Sequence, residues 1–111
     1  MNTHETDYLR EVAATILSQI DKGVLMSLGA SNLGVITAEG LPCLVFIARI
    51  LPFNNDGSRS RRAARVAVHV ALDPSDTYTV HAHHVTRGQK VEHARIEQVY
   101  ADTLNRVLLS L

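Results

Sequence analysis

Residues 41–51 constrain the fold more than any other part of the chain. Apolar residues occupy both alternating sets of positions in this segment, whereas a strand with one face in water alternates between apolar and polar side chains. One set is Leu41, Cys43, Val45 and Ile47, and the other is Leu44, Phe46, Ala48 and Ile50. This strand is therefore either central and covered on both faces, or it turns one apolar face toward a partner.

Two further segments carry the i, i+3, i+4 spacing of apolar residues that is typical of one helix face. They are residues 8–20 and residues 96–111. The chain has 111 residues, of which 46% are hydrophobic and 20% are charged, so it is suited to a single ordinary core. We expect one α+β domain over residues 1–111, in which N-terminal and C-terminal amphipathic helices flank an antiparallel sheet of four to six strands.

Turn-forming residues divide the middle of the chain into short strand-like segments. The pattern predicts strands at 24–28, 33–37, 41–51, 65–72, 77–85 and 90–94, with turns at 38–40, 73–76 and 86–89. An odd-length loop after residue 72 keeps the apolar residues of the two strands that it joins on one face. The polar face of that hairpin then carries three histidines, with His69 opposite His81 and diagonal to His83.

His69, His81 and His83 are the candidate metal ligands. Imidazoles at cross-strand spacing are able to surround one Zn²⁺, Ni²⁺ or Cu²⁺ ion. Two alternatives stay open, a solvent-facing strand whose polar residues happen to be histidines, and a pH-sensing interface. No acidic residue lies between the histidines to orient an imidazole. We therefore expect no cofactor, with zinc or another divalent transition metal as the alternative.

Arg59, Arg61, Arg62 and Arg65 form a basic cluster beside a turn-rich loop. Such a cluster is able to bind phosphate or an acidic protein surface, or it is simply a solvated loop. The chain has 11 basic and 11 acidic residues, so no net charge attracts nucleic acid. It also contains no Trp, which leaves few rings on which bases would stack. Nucleic-acid binding through the four arginines is an alternative function.

No motif fixes a catalytic chemistry, and we assign no catalytic residue. Gly29 and Gly34 have the spacing of a phosphate-binding loop, but Val35 and Ile36 stand where that loop needs Lys and then Ser or Thr. Cys43 is the single cysteine, and its apolar neighbours favour a buried thiol over a nucleophile. An enzyme is therefore unsupported.

The N-terminal residues show no basic region followed by a hydrophobic run, and every apolar run is too short to span a bilayer. The lone cysteine suits a reducing compartment. We expect a cytoplasmic protein without a membrane partner.

Three segments, in their order and spacing, resemble a group of small phage and prophage proteins of unassigned function. They read LMSLGASN at 25–32 with Gly40 and Leu41 after it, LDPSDTY at 72–78, and VYADTL at 99–104. The resemblance covers most of the chain, but the histidines and the arginine cluster lie outside it. It implies a mobile-element setting, and it carries no catalytic residues over.

The sequence thus leads to three hypotheses. The first is a non-enzymatic accessory protein of phage or mobile-element type, a homodimer or other homo-oligomer that binds another macromolecule such as a host-defence component. The second is a nucleic-acid-binding accessory protein that uses the arginine cluster. The third is a metal-dependent protein that uses the histidines.

Overall fold

The computed structural model of the protein describes residues 3–111, with side chains from Glu5 onward. Over these residues the chain forms three helices and five strands. In order they are α1 (Thr3–Ser18), α2 (Lys22–Ser27), β1 (Ser31–Ala38), β2 (Leu41–Ile50), β3 (Ala64–Leu72), β4 (Tyr78–Thr86), β5 (Gln89–Val99) and α3 (Leu104–Leu109). The predicted α+β class, with an antiparallel sheet and a helix toward each end of the chain, is confirmed.

The five strands form one antiparallel sheet in which strand order equals chain order, β1-β2-β3-β4-β5. Two of its hairpins use two-residue turns with positive φ at both positions, Glu39-Gly40 and Arg87-Gly88. Turns of this kind match the right-handed twist of the strands they join, and Gly accepts the conformation without steric cost. The predicted turns at 38–40 and 86–89 are therefore confirmed.

Two of the predicted elements are wrong. Residues 24–28, predicted as a strand, belong largely to α2, in which Val24 is buried, and Leu28 follows as a buried cap. Residues 96–99, predicted as the start of the last helix, instead end β5, and α3 is a short helix that begins only at Leu104. Both errors arise where a short apolar run fits helix and strand equally well.

All three helices pack on one face of the sheet. A single cluster of buried apolar side chains includes Ile16 of α1, Val24 of α2 and Leu104 of α3. The sheet contributes to this cluster the alternate residues of its central strands, namely Leu44, Phe46, Ala48, Ile50, Val66, Val68, Val70, Val80 and Ala82. No helix of the described chain is long and apolar enough to cross a membrane.

The other face of the sheet, here called the open face, has no helix over it among the described residues. Its hollows are lined by strand and turn residues alone. The open face carries the intervening side chains of the strands, among them Ile36, Leu41, Cys43, Val45, Ile47, Arg49, Arg65, Ala67, His69, Ala71, Thr79, His81, His83, Val85, Lys90, Glu92 and Arg95. The apolar residues on both sides of β2 thus have different surroundings, because one set enters the core and the other set lies on the open face.

Candidate functional site

The three predicted histidines meet on the open face. Strand register pairs His69 of β3 with His81 of β4, and it places His83 two pairs further along, opposite Ala67. The ring centroids of His69 and His81 are 6.1 Å apart, those of His69 and His83 are 5.4 Å apart, and those of His81 and His83 are 5.6 Å apart. The odd register predicted for this hairpin is confirmed, and it brings the three rings into a triangle.

A carboxylate joins this triangle from the neighbouring strand. Oε1 of Glu92 on β5 lies 3.2 Å from Nε2 of His81. The expectation that no acidic residue orients these imidazoles is therefore wrong. It considered only the residues between the histidines in the sequence, whereas this carboxylate comes from the next strand, β5. The turn at 86–89 could have predicted that Glu92 lies near the histidines, because a two-residue loop places Glu92 opposite His83.

Two of the three imidazoles are held toward their neutral form. Burial lowers the pKa of His69 below its ordinary value, and the nearby His81 and Lys90 lower it further. Burial also lowers the pKa of His83, and Lys90 and the neighbouring histidines add to the effect. A neutral imidazole has one lone pair, with which it accepts a hydrogen bond or binds a metal. Nδ1 of His83 is buried without a hydrogen-bond partner.

The side chains are not arranged as a finished metal site. Among the described residues, no group of three or more His, Cys, Asp or Glu side chains is arranged, as it stands, to hold a metal ion. Metal binding by the histidine triangle therefore remains a prediction, and it requires the imidazole rings to turn.

A hollow of about 310 Å³ adjoins the histidine triangle on the side of the β1–β2 turn. Cys43, His69 and His81 contribute to its wall, together with Lys90 and Arg95. Cys43 is only 1% exposed, and burial raises the pKa of its thiol to about 11, with a hydrogen bond to Val70 opposing this effect only in part. The thiol stays protonated near neutral pH, so this hollow holds no cysteine nucleophile.

Beside the histidines, the open face is apolar. Ile36, Val45, Ile47 and Ala67, here called the apolar strip, line a second hollow of about 290 Å³ together with His69. Ile36 is 39% exposed, and the other three side chains are half-buried. The strip is thus a row of aliphatic side chains across β1, β2 and β3 that no helix of the described chain covers.

The first residue of the arginine cluster is tied to the protein. The Arg59 guanidinium donates hydrogen bonds to the backbone oxygens of Leu51, at 2.8 Å, and of Leu111. Its central carbon also lies 3.9 Å from the ring centroid of Phe53. A guanidinium that already has these partners stabilises the loop between β2 and β3, and it is poorly placed to bind a phosphate.

The other three arginines of the predicted cluster lie elsewhere on the surface. Arg61 and Arg62 are exposed in the loop, and Arg65 is exposed on the open face. Register places Arg65 directly opposite Arg49 of β2, a residue that the sequence reasoning missed. Within the described chain no ion pair involves either residue of this Arg49–Arg65 pair. Like charges that face each other without a counter-charge favour an anionic partner.

Fold and site define the class of protein as a small α+β protein whose five-stranded antiparallel meander is covered, over the residues that the structure describes, by helices on one face only. The chain matches no protein-family model, no curated protein and no solved structure. The resemblance to small phage and prophage proteins accordingly stays a prediction.

Proposed function

We propose that the protein is a non-enzymatic accessory protein that binds another protein through the open face of its sheet. The observation that carries this proposal is the apolar strip, which lies on the face opposite all three helices. Removing aliphatic surface from water stabilises a complex by roughly 25 cal/mol per Å². A row of neighbouring aliphatic side chains on an uncovered sheet is a surface that gains stability from a partner.

The charges beside the strip define the chemistry of the partner. The Arg49–Arg65 pair lies next to Ile47 and Ala67 on the same face, two residues further along the same two strands. A partner that places an aliphatic patch on the strip and carboxylates at its edge would neutralise both guanidiniums. Such an arrangement gives an interface with an apolar centre and a charged rim.

A protein fits this surface better than a nucleic acid does. The open face has arginines, yet among its described residues it has no Phe, Tyr or Trp on which a base would stack. The Arg49–Arg65 pair lies at one end of the face, directly beside the apolar strip. Nucleic-acid binding through Arg49, Arg61, Arg62 and Arg65 is the competing function.

The resemblance to phage and prophage proteins supplies the biological setting of the proposal. In that setting the partner is a host protein, such as a component of host defence, and the accessory protein acts by occupying its surface. The proposal requires no catalytic group, in keeping with a face on which the single thiol is buried and protonated.

The test compares two glutamate substitutions on opposite sides of the molecule. Ile47→Glu places a charge in the apolar strip, and Leu109→Glu places the same charge on α3, where Leu109 is 54% exposed. Each variant and the wild type are immobilised and exposed to lysate of the native host. A protein retained by the wild type and by Leu109→Glu, but not by Ile47→Glu, is then purified and titrated by calorimetry. We expect Ile47→Glu and the double variant Arg49→Glu, Arg65→Glu each to weaken that purified pair at least about tenfold.

Three outcomes contradict the proposal. Retention of the same proteins by wild type and Ile47→Glu shows that the strip is not the interface. A dimer that light scattering detects in the wild type and not in Ile47→Glu identifies a second copy as the occupant. Binding to DNA or RNA that weakens with salt and needs the arginines, but not Ile47, establishes the nucleic-acid function instead.

A further inference from the structure

We infer that His69, His81 and His83 form a binding site for one divalent transition-metal ion such as Zn²⁺. The inference is independent of the protein-binding function proposed above. It rests on the spacing of the three rings, on the freedom of the rings to turn, and on the hydrogen bonds that their nitrogens make or lack.

The spacing of the rings matches a shared ion. A zinc–nitrogen bond of about 2.0–2.1 Å places the centre of an imidazole roughly 3.2 Å from the metal, so tetrahedral angles separate two ring centres by roughly 5.3 Å. The observed separations are 5.4, 5.6 and 6.1 Å. Two of the three pairs are already at the required distance, and the pair formed by His69 and His81 must close by less than 1 Å.

The ring centres have the spacing of a metal site, yet the imidazole nitrogens do not converge on one point. Rotation of the rings accounts for this difference. An imidazole turns about its χ2 bond, and the ring centre lies close to that axis. Turning therefore moves the nitrogens and leaves the distances between ring centres almost unchanged. Among the described residues, no hydrogen bond to a side chain or backbone group holds the ring of His69. The ring of His69 is thus free to turn a nitrogen toward the other two rings, and the pair formed by His69 and His81 closes by less than 1 Å in addition.

The nitrogens gain partners when a metal binds. Nδ1 of His83 is buried and makes no hydrogen bond, which is an unfavourable state for a polar atom. Rotation of the ring about χ2 changes the direction in which this nitrogen points and makes it available as a metal ligand. A neutral His81 that donates its Nε2 proton to Glu92, 3.2 Å away, keeps its lone pair on Nδ1 for the metal. A carboxylate that orients a metal-bound imidazole in this way is usual for such sites.

The donor set and the charges select the ion. Three imidazole nitrogens favour Zn²⁺, Cu²⁺, Ni²⁺ or Co²⁺ over Mg²⁺ and Ca²⁺, which prefer oxygen ligands. Lys90 is close enough to lower the pKa of both His69 and His83, so its charge opposes a bound cation. Glu92 offsets that repulsion. The site is therefore expected to bind more tightly when an uncharged residue replaces Lys90.

The experiment uses the full chain without a histidine tag, titrated with Co²⁺ as a spectroscopic probe and with Zn²⁺ in competition. We expect one equivalent of Co²⁺ to bind and to produce the intense visible absorption of four-coordinate cobalt, and Zn²⁺ to displace it. His81→Gln and His83→Gln should each lower the affinity at least about tenfold, as should Glu92→Gln, the positioning residue. Lys90→Gln should raise the affinity.

His84→Gln is the matched control, because His84 follows His83 directly but its position alternates to the other face of β4. Retention of the wild-type affinity in His84→Gln together with its loss in His81→Gln supports the site. Equal loss in both variants, or no saturable binding by the wild type, overturns it.

Nuclear magnetic resonance of the wild type tests the same site if one of the variants does not fold. Zinc must then shift the imidazole nitrogens of His69, His81 and His83 and leave those of His84 and His93 in place, and any other pattern overturns the inference.

Discussion

The thiol of Cys43 shows how the position of one residue on the open face decides its chemistry. The side chain lies on the uncovered side of β2, yet it is only 1% exposed. Burial raises its pKa to about 11. We expect iodoacetamide at pH 8 to leave the native protein unmodified over an hour and to alkylate Cys43 within minutes in 8 M urea, since the thiolate is the nucleophile. Mass spectrometry measures both, and rapid alkylation of the native protein would contradict the buried position.

A second residue-scale prediction concerns Arg59. Its hydrogen bonds to the backbone oxygens of Leu51 and Leu111, and its stacking on Phe53, make it a structural residue. Arg59→Ala should lower the free energy of unfolding by about 1–3 kcal/mol, because hydrogen bonds to a charged group are lost. Arg61→Ala, an exposed control two residues later, should change it by less than about 0.5 kcal/mol. Urea denaturation compares the two variants, and equal stability would show that Arg59 does not hold the loop.

At the scale of elements, Asn105 of α3 joins the turn between α1 and α2 to the end of the chain. Its Oδ1 accepts a hydrogen bond from the backbone N–H of Asp21 at 2.8 Å, and its Nδ2 donates one to the backbone oxygen of Gln19 at 3.0 Å. Asn105→Ala leaves both backbone groups without this partner and should cost about 1–3 kcal/mol. Asn105→Asp keeps the acceptor and loses the donor, so its cost should fall between those of the wild type and Asn105→Ala.

Arg106→Ala is the control for this bridge, because Arg106 is exposed on the same helix. Thermal unfolding of the three variants gives the order of stability. If Asn105→Ala were no less stable than Arg106→Ala, α3 would not be anchored through this side chain, and the apolar contacts of Leu104 and Leu108 alone would hold it.

The elements that could be predicted from the sequence are those with long, regular patterns. α1, β2, β3 and β4 lie within a few residues of the predicted segments. The end of β5 could not be predicted, because irregular pairing lies between its partners Val80 and Tyr78, and Gln98 adopts a positive φ. The extra residue moves Val99 onto the core face three positions after Ile96, which imitates the spacing of a helix. The three apolar side chains of α2, those of Val24, Leu25 and Met26, were likewise too few to reveal a helical period.

The candidate site follows the same division. The triangle of His69, His81 and His83 could be predicted because one turn of odd length fixes the register of its two strands. The contact between Glu92 and His81 required the register of a further strand, and the partners of Arg59 required the path of the whole loop. Contacts between distant parts of the chain depend on tertiary packing, on which a local pattern carries no information.

At the scale of the whole molecule, one-sided packing separates two neighbouring residues of β2. Phe46 is 1% exposed and belongs to the core, whereas Ile47 is half-buried on the open face. Phe46→Ala should cost about 3–5 kcal/mol, as is usual for a buried aromatic residue. Ile47→Ala should cost less than about 1.5 kcal/mol, because its side chain has neighbours on one side only.

These two costs, measured by urea denaturation over a range of protein concentrations, also report on what covers the open face in solution. If the chain is a monomer, both costs are independent of concentration and differ as stated. If a second copy occupies the face, the cost of Ile47→Ala rises with concentration, because association stabilises only the folded form. Equal, concentration-independent costs at the two positions would mean that both faces of β2 are covered within one chain, which would contradict the one-sided fold. A partner protein that binds the strip should raise the unfolding temperature of the wild type more than that of Ile47→Ala. The reason is that the partner contacts the Ile47 side chain in the wild type, and the variant lacks most of that side chain.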